Sequence, residues 1–147
     1  MPRETDRPTN GRKRISAQNT DVWATSVRTE APLRKGWGVW AYVRVDEEGE
    51  QAYISSSNGW LDVDMTAEAC RHALERAPDR STLTIHVPLS QRWVVEGLRA
   101  PVDKRAADRQ IRLVWDVYCA SQDGRSAPME RARTIARLGA AAWRREQ

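Results

Sequence analysis

The sequence lacks any apolar run long enough to span a membrane, and its first twenty residues are polar and charged. A membrane helix needs about 20 consecutive apolar residues, and a secretory signal peptide needs an apolar core behind a basic start. We therefore expect a cytoplasmic protein with no membrane partner. With 147 residues, of which 40% are hydrophobic, the chain suits one domain around one buried core.

Cysteine and histidine are also scarce, with two residues of each. Their spacing matches no zinc motif, so we expect no metal and no other cofactor. Cys70 and Cys119 lie in apolar stretches and are expected to be buried thiols, because a reducing cytosol disfavours disulfides. His72 and His86 have no Ser or Cys at a recognisable spacing, which indicates structural or surface roles. Neither a nucleophile elbow nor a phosphate-binding loop is present.

The excess of positive charge is modest, with 24 Lys and Arg residues against 20 Asp and Glu residues. This balance permits nucleic-acid binding without requiring it, and an ordinary solvated surface is the alternative. Residues 1–20 have no apolar periodicity and contain the cluster Arg12-Lys13-Arg14, which is typical of a disordered basic tail. We expect a single domain over residues 21–147.

Hydrophobic periodicity within this domain predicts an α/β fold. The predicted strands are 21–27, 36–45, 51–57, 81–87 and 111–119. The predicted helices are 65–77, 90–98, 102–110 and 128–144. Thr66 is the expected N-cap of the first helix, and Pro101 is expected to separate the second helix from the third. A three-strand meander followed by αβ units indicates a five-stranded mixed sheet with helices on both faces.

Four local sequences resemble motifs of the ribonuclease H family. Gly36-Trp37-Gly38 is similar to the Gly-aromatic-Gly that enters the family's second strand. Residues 65–74 (MTAEACRHAL) resemble its Met-Glu-x-x-Ala-Ala-x-x-Ala-Leu helix, and residues 90–98 (SQRWVVEGL) resemble its Asp-Ser-x-Tyr-Val-x-x-Gly-Ile stretch. Residues 130–136 (ERARTIA) are similar to its Glu-Arg-Cys-Asp-x-Leu-Ala helix. The resemblance covers residues 20–145 and implies the sheet order 3-2-1-4-5.

Family members hydrolyse the RNA strand of an RNA–DNA hybrid, using two Mg²⁺ ions held by four carboxylates. By the resemblance, the acidic positions fall at Ala24 (or Thr25), Thr66, Ser90 and Arg133. None is acidic, and a guanidinium at position 133 would place a fixed positive charge where a cation should bind. The family's loop histidine aligns with Asp123, and its residues that read nucleic-acid backbones fall near Asp62, Val63 and Arg92. We therefore expect a pseudoenzyme.

The first functional hypothesis is a catalytically inactive ribonuclease H-like domain that binds DNA, RNA or their hybrid through the altered cleft and the basic tail. Loss of the acids would turn the family's acidic cleft neutral or basic, which suits direct phosphate binding without metal. The predicted nucleic-acid-binding residues are Arg34, Lys35, Arg92, Trp93, Arg125, Arg131 and Arg133.

Two alternatives remain open at the level of sequence. The domain could be a protein-interaction module on the same fold, with Trp37, Trp60 or Trp93 as anchors. It could also be a nuclease that uses Mg²⁺ through relocated acids, for which the candidate ligands are Asp62, Asp64, Glu68, Asp123 and Glu130. Asp21 and Asp116 lie on strands, and Asp116 alternates with Trp115 and Val117, so we expect Asp116 to face solvent.

Overall fold

The computed structural model describes residues 18–28, 37–58, 62–119, 124 and 126–145. Most of the predicted basic tail lies outside these ranges. The strands are β1 (Asn19–Arg28), β2 (Trp37–Asp46), β3 (Gly49–Asn58), β4 (Thr82–Pro88) and β5 (Arg112–Tyr118). The helices are α1 (Asp62–Arg76), α2 (Trp93–Asp108) and α3 (Ala127–Arg145), and a 3-10 turn spans Leu89–Gln91.

The five strands form one mixed sheet in the order β3-β2-β1-β4-β5, as predicted. β1 pairs antiparallel with β2, and β2 pairs antiparallel with β3, whereas β1–β4 and β4–β5 are parallel. The turn from β2 to β3 is tight, with Asp46 paired to Gly49 and the Asp46 carboxylate accepting from the Glu48 N–H at 2.8 Å. Gly49 has a φ of 132°, a conformation that favours glycine.

Alternating side chains of β2 show that helices cover both faces of the sheet. Trp40 and Tyr42 are buried in the main hydrophobic cluster, together with apolar residues of α1 and α2. Val39 points to the opposite face of the sheet and lies against Gly139 of α3. The approach is so close that a Cβ atom added to this glycine would come within 3.1 Å of the Val39 side chain. Successive side chains of a strand point to opposite faces of the sheet. The strands therefore contribute to two cores, one under α1 and α2 and one under α3.

Helix α1 buries the apolar face that the sequence predicts, but it begins earlier than expected. Ala69, Cys70, Ala73 and Leu74 are all buried. The helix starts at Asp62, so Thr66 is an interior residue and the prediction that it is the N-cap is wrong. Its hydroxyl is buried and binds side chains of other elements instead of the first-turn backbone. Burial also raises the pKa of the Cys70 thiol to about 12, whereas Cys119 is only half-buried.

Helix α2 is continuous, which corrects the prediction of two helices separated at Pro101. A proline inside a helix loses one hydrogen bond and clashes with the preceding turn, at a cost of about 3 kcal/mol. Val94 and Val95 lie before Pro101, Val102 and Ala106 follow it, and all four are buried in the same cluster. Pro101 itself is exposed. Apolar contacts on both sides of the proline thus hold one helix together.

Candidate functional site

A cleft of about 360 Å³ opens at the carboxyl ends of β1 and β4, beside helix α3. Neighbouring parallel strands end at the same edge of a sheet, and ligands of open α/β sheets bind outside those ends. Here β1 is also the strand whose other neighbour is antiparallel. The described residues that line the cleft are Thr25, Ser26, Val27, Pro88, Ser90, Gln91, Arg133 and Arg137.

The two arginines reach the cleft from one flank of α3. Ala136 and Ala140 of this helix are buried, and Arg133 and Arg137 stand four residues apart, where side chains of a helix share a face. Arg133 is partly exposed, and its guanidinium lies 3.7 Å from the Glu130 carboxylate one turn earlier. That contact is too long for a hydrogen bond, so the guanidinium keeps its donors available to a ligand.

A buried polar triangle forms the floor of the cleft, where α1, β1 and the 3-10 turn meet. The Thr66 hydroxyl lies 2.8 Å from Ser26 Oγ and is hydrogen-bonded to Gln91 Oε1. The Gln91 side-chain amide donates to Ser26 Oγ at 3.3 Å. All three side chains are buried and neutral. Sequence reasoning missed Ser26 and Gln91, because nothing in their local pattern indicates burial.

Each of the four positions where the resemblance places a catalytic acid has a candidate residue at this site. Thr66 is in the floor, Ser90 is exposed and lines the cleft, and Arg133 lies on its wall. At the β1 position, Ala24 is fully buried in the main core cluster, whereas Thr25 lines the cleft together with Ser26 and Val27. Mg²⁺ prefers carboxylate and other oxygen ligands. Two guanidinium groups with neutral hydroxyl and amide groups do not fit it.

Arg92 and Trp93 directly follow Gln91 of the floor in the chain, and neither of them is among the residues that line the cleft. Both side chains are exposed, and the Trp93 ring retains 54% of its accessible surface. The Arg92 guanidinium carbon lies 4.7 Å from the centre of the Trp93 ring, which is cation–π geometry. An exposed aromatic ring with a guanidinium over it thus lies two residues along the chain from the floor of the cleft.

Arg131 does not belong to this group. It forms an ion pair with Glu50, which follows the turn between β2 and β3. Glu50 pairs with Val45, and Val45 pairs with Asp21 near the start of β1, so Arg131 lies toward the end of the sheet opposite the cleft. Arg34, Lys35, Arg125, Trp60 and Asp123 lie outside the described residues, as do the side chains of Trp37, Asp62 and Asp64.

The acids proposed as relocated metal ligands do not converge where the structure describes them. Glu68 is exposed and pairs with Arg71 at 2.9 Å, while Glu130 lies beside Arg133. Within the described ranges, no group of three or more His, Cys, Asp or Glu side chains is placed to hold a metal ion. Among the helices that the structure describes, none combines the length and apolarity needed to cross a membrane.

A second polar cluster joins three strands that are distant in sequence. His86 Nδ1 lies 2.7 Å from Asp116 Oδ2, and His86 Nε2 lies 2.9 Å from Asp21 Oδ1. Trp23 stacks on the imidazole with 3.7 Å between the ring centres. Asp116 is half-exposed and bonded to His86, so the expectation that it simply faces solvent is incomplete.

Both ring nitrogens of His86 are thus engaged by carboxylates. A histidine that activates a nucleophile needs one nitrogen free for the hydroxyl or thiol that it deprotonates. The cluster is therefore a cross-strand structural network rather than part of a nucleophile triad. It could have been anticipated only from the parallel register of β1, β4 and β5, which places Trp23, His86 and Asp116 side by side.

No protein-family model matches the chain, and no curated protein matches it either.

Proposed function

We propose that this chain is a catalytically inactive ribonuclease H-like domain that binds nucleic acid in the cleft between β1, β4 and α3. One observation carries the proposal. Arg133 and Arg137 reach into a cleft whose other described lining residues are neutral. A cleft lined by charge of one sign concentrates ligands of the opposite sign. This open, basic cleft is suited in size and charge to the phosphodiester groups of a nucleic acid.

The donors in the cleft match the needs of a phosphate. Each guanidinium presents a planar fork of N–H groups that pairs with two phosphate oxygens at once. Ser90 and Thr25 add hydroxyl groups to the lining of the cleft. Contacts of this kind hold a nucleic-acid backbone without reading its sequence. We therefore expect binding with little preference for base sequence.

The sheet order 3-2-1-4-5 supports the ribonuclease H-like part of the proposal, because it is the order that the sequence resemblance implies. The same scaffold would present Thr66, Ser90 and Arg133 where active family members present acids. Loss of those acids removes the charge that binds Mg²⁺ and lowers the repulsion of a phosphate backbone. The domain would thus keep a groove for nucleic acid and lose hydrolysis.

Trp93 favours a single strand over a duplex as the ligand. Unpaired bases stack on aromatic side chains, at about 1–3 kcal/mol for each base, and stacking tolerates any sequence. Trp93 is exposed two residues after Gln91 of the floor, and the Arg92 guanidinium over its ring adds a charge for an adjoining phosphate. In this proposal, a single strand places its backbone on Arg133 and Arg137 while one base stacks on Trp93.

The test is fluorescence anisotropy with labelled single-stranded DNA, single-stranded RNA, duplex and hybrid of equal length, at two salt concentrations. We expect binding that weakens with salt, because neutralised phosphates release counterions. Arg133→Glu should weaken binding roughly tenfold or more and lower the slope of log affinity against log salt by about 1. Lys104→Glu is the control, since it changes the charge equally at an exposed site on α2.

Two results would contradict the proposal. One is the absence of binding to all four ligands at low salt. The other is an equal loss of affinity in Arg133→Glu and Lys104→Glu, which would mean that net charge and not the cleft attracts the ligand. Adding Mg²⁺ or Mn²⁺ to the hybrid sample tests the nuclease alternative. Cleavage that disappears in Glu68→Gln would establish an enzyme with relocated ligands.

The exposure of Trp93 also supports a second candidate, a protein-interaction module. Exposed tryptophans are frequent anchors of protein interfaces. A partner recovered with the chain after nuclease treatment and at high salt would favour this function, because salt weakens nucleic-acid binding steeply. Loss of that partner in Trp93→Ala but not in Arg133→Glu would assign the contact to Trp93 and separate the two functions.

A further inference from the structure

The outer edge of β3 is open among the residues that the structure describes. β3 is the terminal strand of the sheet and pairs with β2 through ten consecutive residue pairs, from Gly49 to Asn58, without a bulge. The N–H and C=O groups of its other edge can therefore pair with another strand. Soluble proteins usually protect such edges with charged side chains, proline, bulges or short strands.

β3 carries almost none of these protections. Its sequence, GEQAYISSSN, contains no proline, lysine or arginine, and its single charged residue is Glu50 at one end. The negative charge of Glu50 is balanced within the same molecule by its ion pair with Arg131 of α3. The edge strand on the other side, β5, differs because it is shorter and includes Arg112 and Asp116. Of the two sheet edges, β3 is thus the one suited to pairing.

An exposed apolar side chain stands in the middle of this edge strand. Ile54 retains 48% of its accessible surface. One end of its side chain lies against α3, because a Cβ atom added to Gly139 would come within 2.6 Å of Ile54 Cδ1. Leu138, the residue before Gly139, is 65% exposed. Apolar surface next to unpaired backbone is typical of sites where strands associate.

We propose that two copies of this chain associate by antiparallel pairing of their β3 strands about Ile54. A two-fold axis at this residue places Ile54 against Ile54 of the other copy, so that each buries the exposed side chain of its counterpart. Position 53 then faces 55, position 52 faces 56 and position 51 faces 57. Glu50 faces position 58, an asparagine, so no like charges oppose one another.

This complementarity of the strand with itself is the reason to favour a second copy over an unrelated strand. Pairing joins the two sheets into one and places an α3 helix of each copy on the same side of the junction, near Ile54. The inference does not depend on nucleic-acid binding, because the cleft opens beside β1 and β4 and the interface lies at β3.

The test is sedimentation of the nuclease-treated full chain at high salt over a wide range of concentrations. We expect a concentration-dependent species with twice the mass of the chain. Ile54→Lys should weaken its formation roughly tenfold or more, because it sets like charges directly opposite each other. Val114→Lys is the control, since Val114 is a partly exposed apolar residue of the other edge strand, and the dimer should persist.

A mixing experiment separates loss of the interface from loss of the fold. Ile54→Lys and Ile54→Glu should each be monomeric alone, and an equimolar mixture should form a heterodimer through opposite charges across the axis. A monomeric wild-type chain at every concentration would overturn the proposal. A dimer that survives Ile54→Lys would overturn it too, as would a mixture that stays monomeric.

Discussion

Tyr42 and His72 are paired in an aromatic cluster under helix α1. The Tyr42 hydroxyl lies 2.9 Å from His72 Nδ1, and the Tyr42 ring stacks against Tyr53 with 4.8 Å between centres. Burial raises the pKa of Tyr42 above its ordinary value, so the hydroxyl stays protonated and is able to donate a hydrogen bond to the neutral imidazole. Burial, with a smaller effect of the Arg76 guanidinium, lowers the pKa of His72 below 6.5. The neutral imidazole is therefore the form that the fold stabilises.

This pairing predicts a pH dependence of stability. The pKa of His72 is lower in the folded chain than in the unfolded chain. Its contribution to the free energy of unfolding is therefore complete above pH 6.5 and is lost as the pH falls from 6.5 through the folded pKa. His72→Gln keeps a hydrogen-bond acceptor for Tyr42 and cannot titrate. Urea unfolding at a series of pH values should therefore show a smaller decline below pH 6.5 in the variant. Equal declines would contradict the assignment, because the two proteins differ only at position 72.

Helices α1 and α2 show how packing overrides signals in the local sequence. Thr66 has the residue type of an N-cap, yet α1 begins at Asp62 and places the Thr66 hydroxyl on Ser26 and Gln91. Pro101 has the residue type of a helix terminator, yet α2 continues to Asp108. In both cases, the local preference is worth about 1–3 kcal/mol. Burial of several apolar side chains exceeds that amount.

The continuity of α2 predicts that Pro101→Ala stabilises the domain. Pro101 is exposed inside the helix, so alanine restores a backbone N–H donor without disturbing the core. We expect a gain of about 1–3 kcal/mol in the free energy of unfolding, less than the full proline cost because alanine also loosens the unfolded chain. Pro101→Gly restores the same donor and should gain about 1 kcal/mol less. Thermal unfolding of both variants is the measurement, and a lower midpoint for Pro101→Ala would contradict the prediction.

At the scale of the whole molecule, burial is uneven across the sheet. β4 is an interior strand, and Leu83, Ile85 and Val87 are fully buried. β5 is an edge strand in which Tyr118 alone is buried. Local opening costs least where few apolar contacts hold the backbone. The two proposed surfaces lie apart on this scaffold, with the cleft beside the interior strands and the self-association edge at β3.

Amide hydrogen exchange should follow this gradient. We expect the backbone amides of β4 to exchange more slowly than those of β5, although the two strands have equal length. Mass spectrometry of peptides from each strand, corrected for intrinsic exchange rates, makes the comparison. At protein concentrations where the chain dimerises, β3 should gain protection while β5 does not. Equal exchange of β4 and β5 would contradict the gradient.

The sequence by itself determined the class of fold and nearly all of the elements. Alternation along 36–45 and the apolar face of 65–77 depend on neighbours within two to five residues, so they can be seen in the chain alone. The sheet order followed from the family resemblance, and the structure has the same order. That the resemblance places Thr66, Ser90 and Arg133, and no acid, at the family's acidic positions was likewise visible in the sequence.

Only the tertiary structure decided which of these residues act together. In the structure, Arg137 lines the same cleft as Arg133, whereas Arg131 pairs with Glu50. Gln91 and Ser26 contact the Thr66 side chain. The structure also brought Asp21 and Asp116 to His86. Apart from the two arginines of α3, these contacts join residues at least 25 positions apart in the sequence. They therefore depend on the register of the strands and the rotation of the helices. Those two quantities are set by packing over the whole core, which no local pattern encodes.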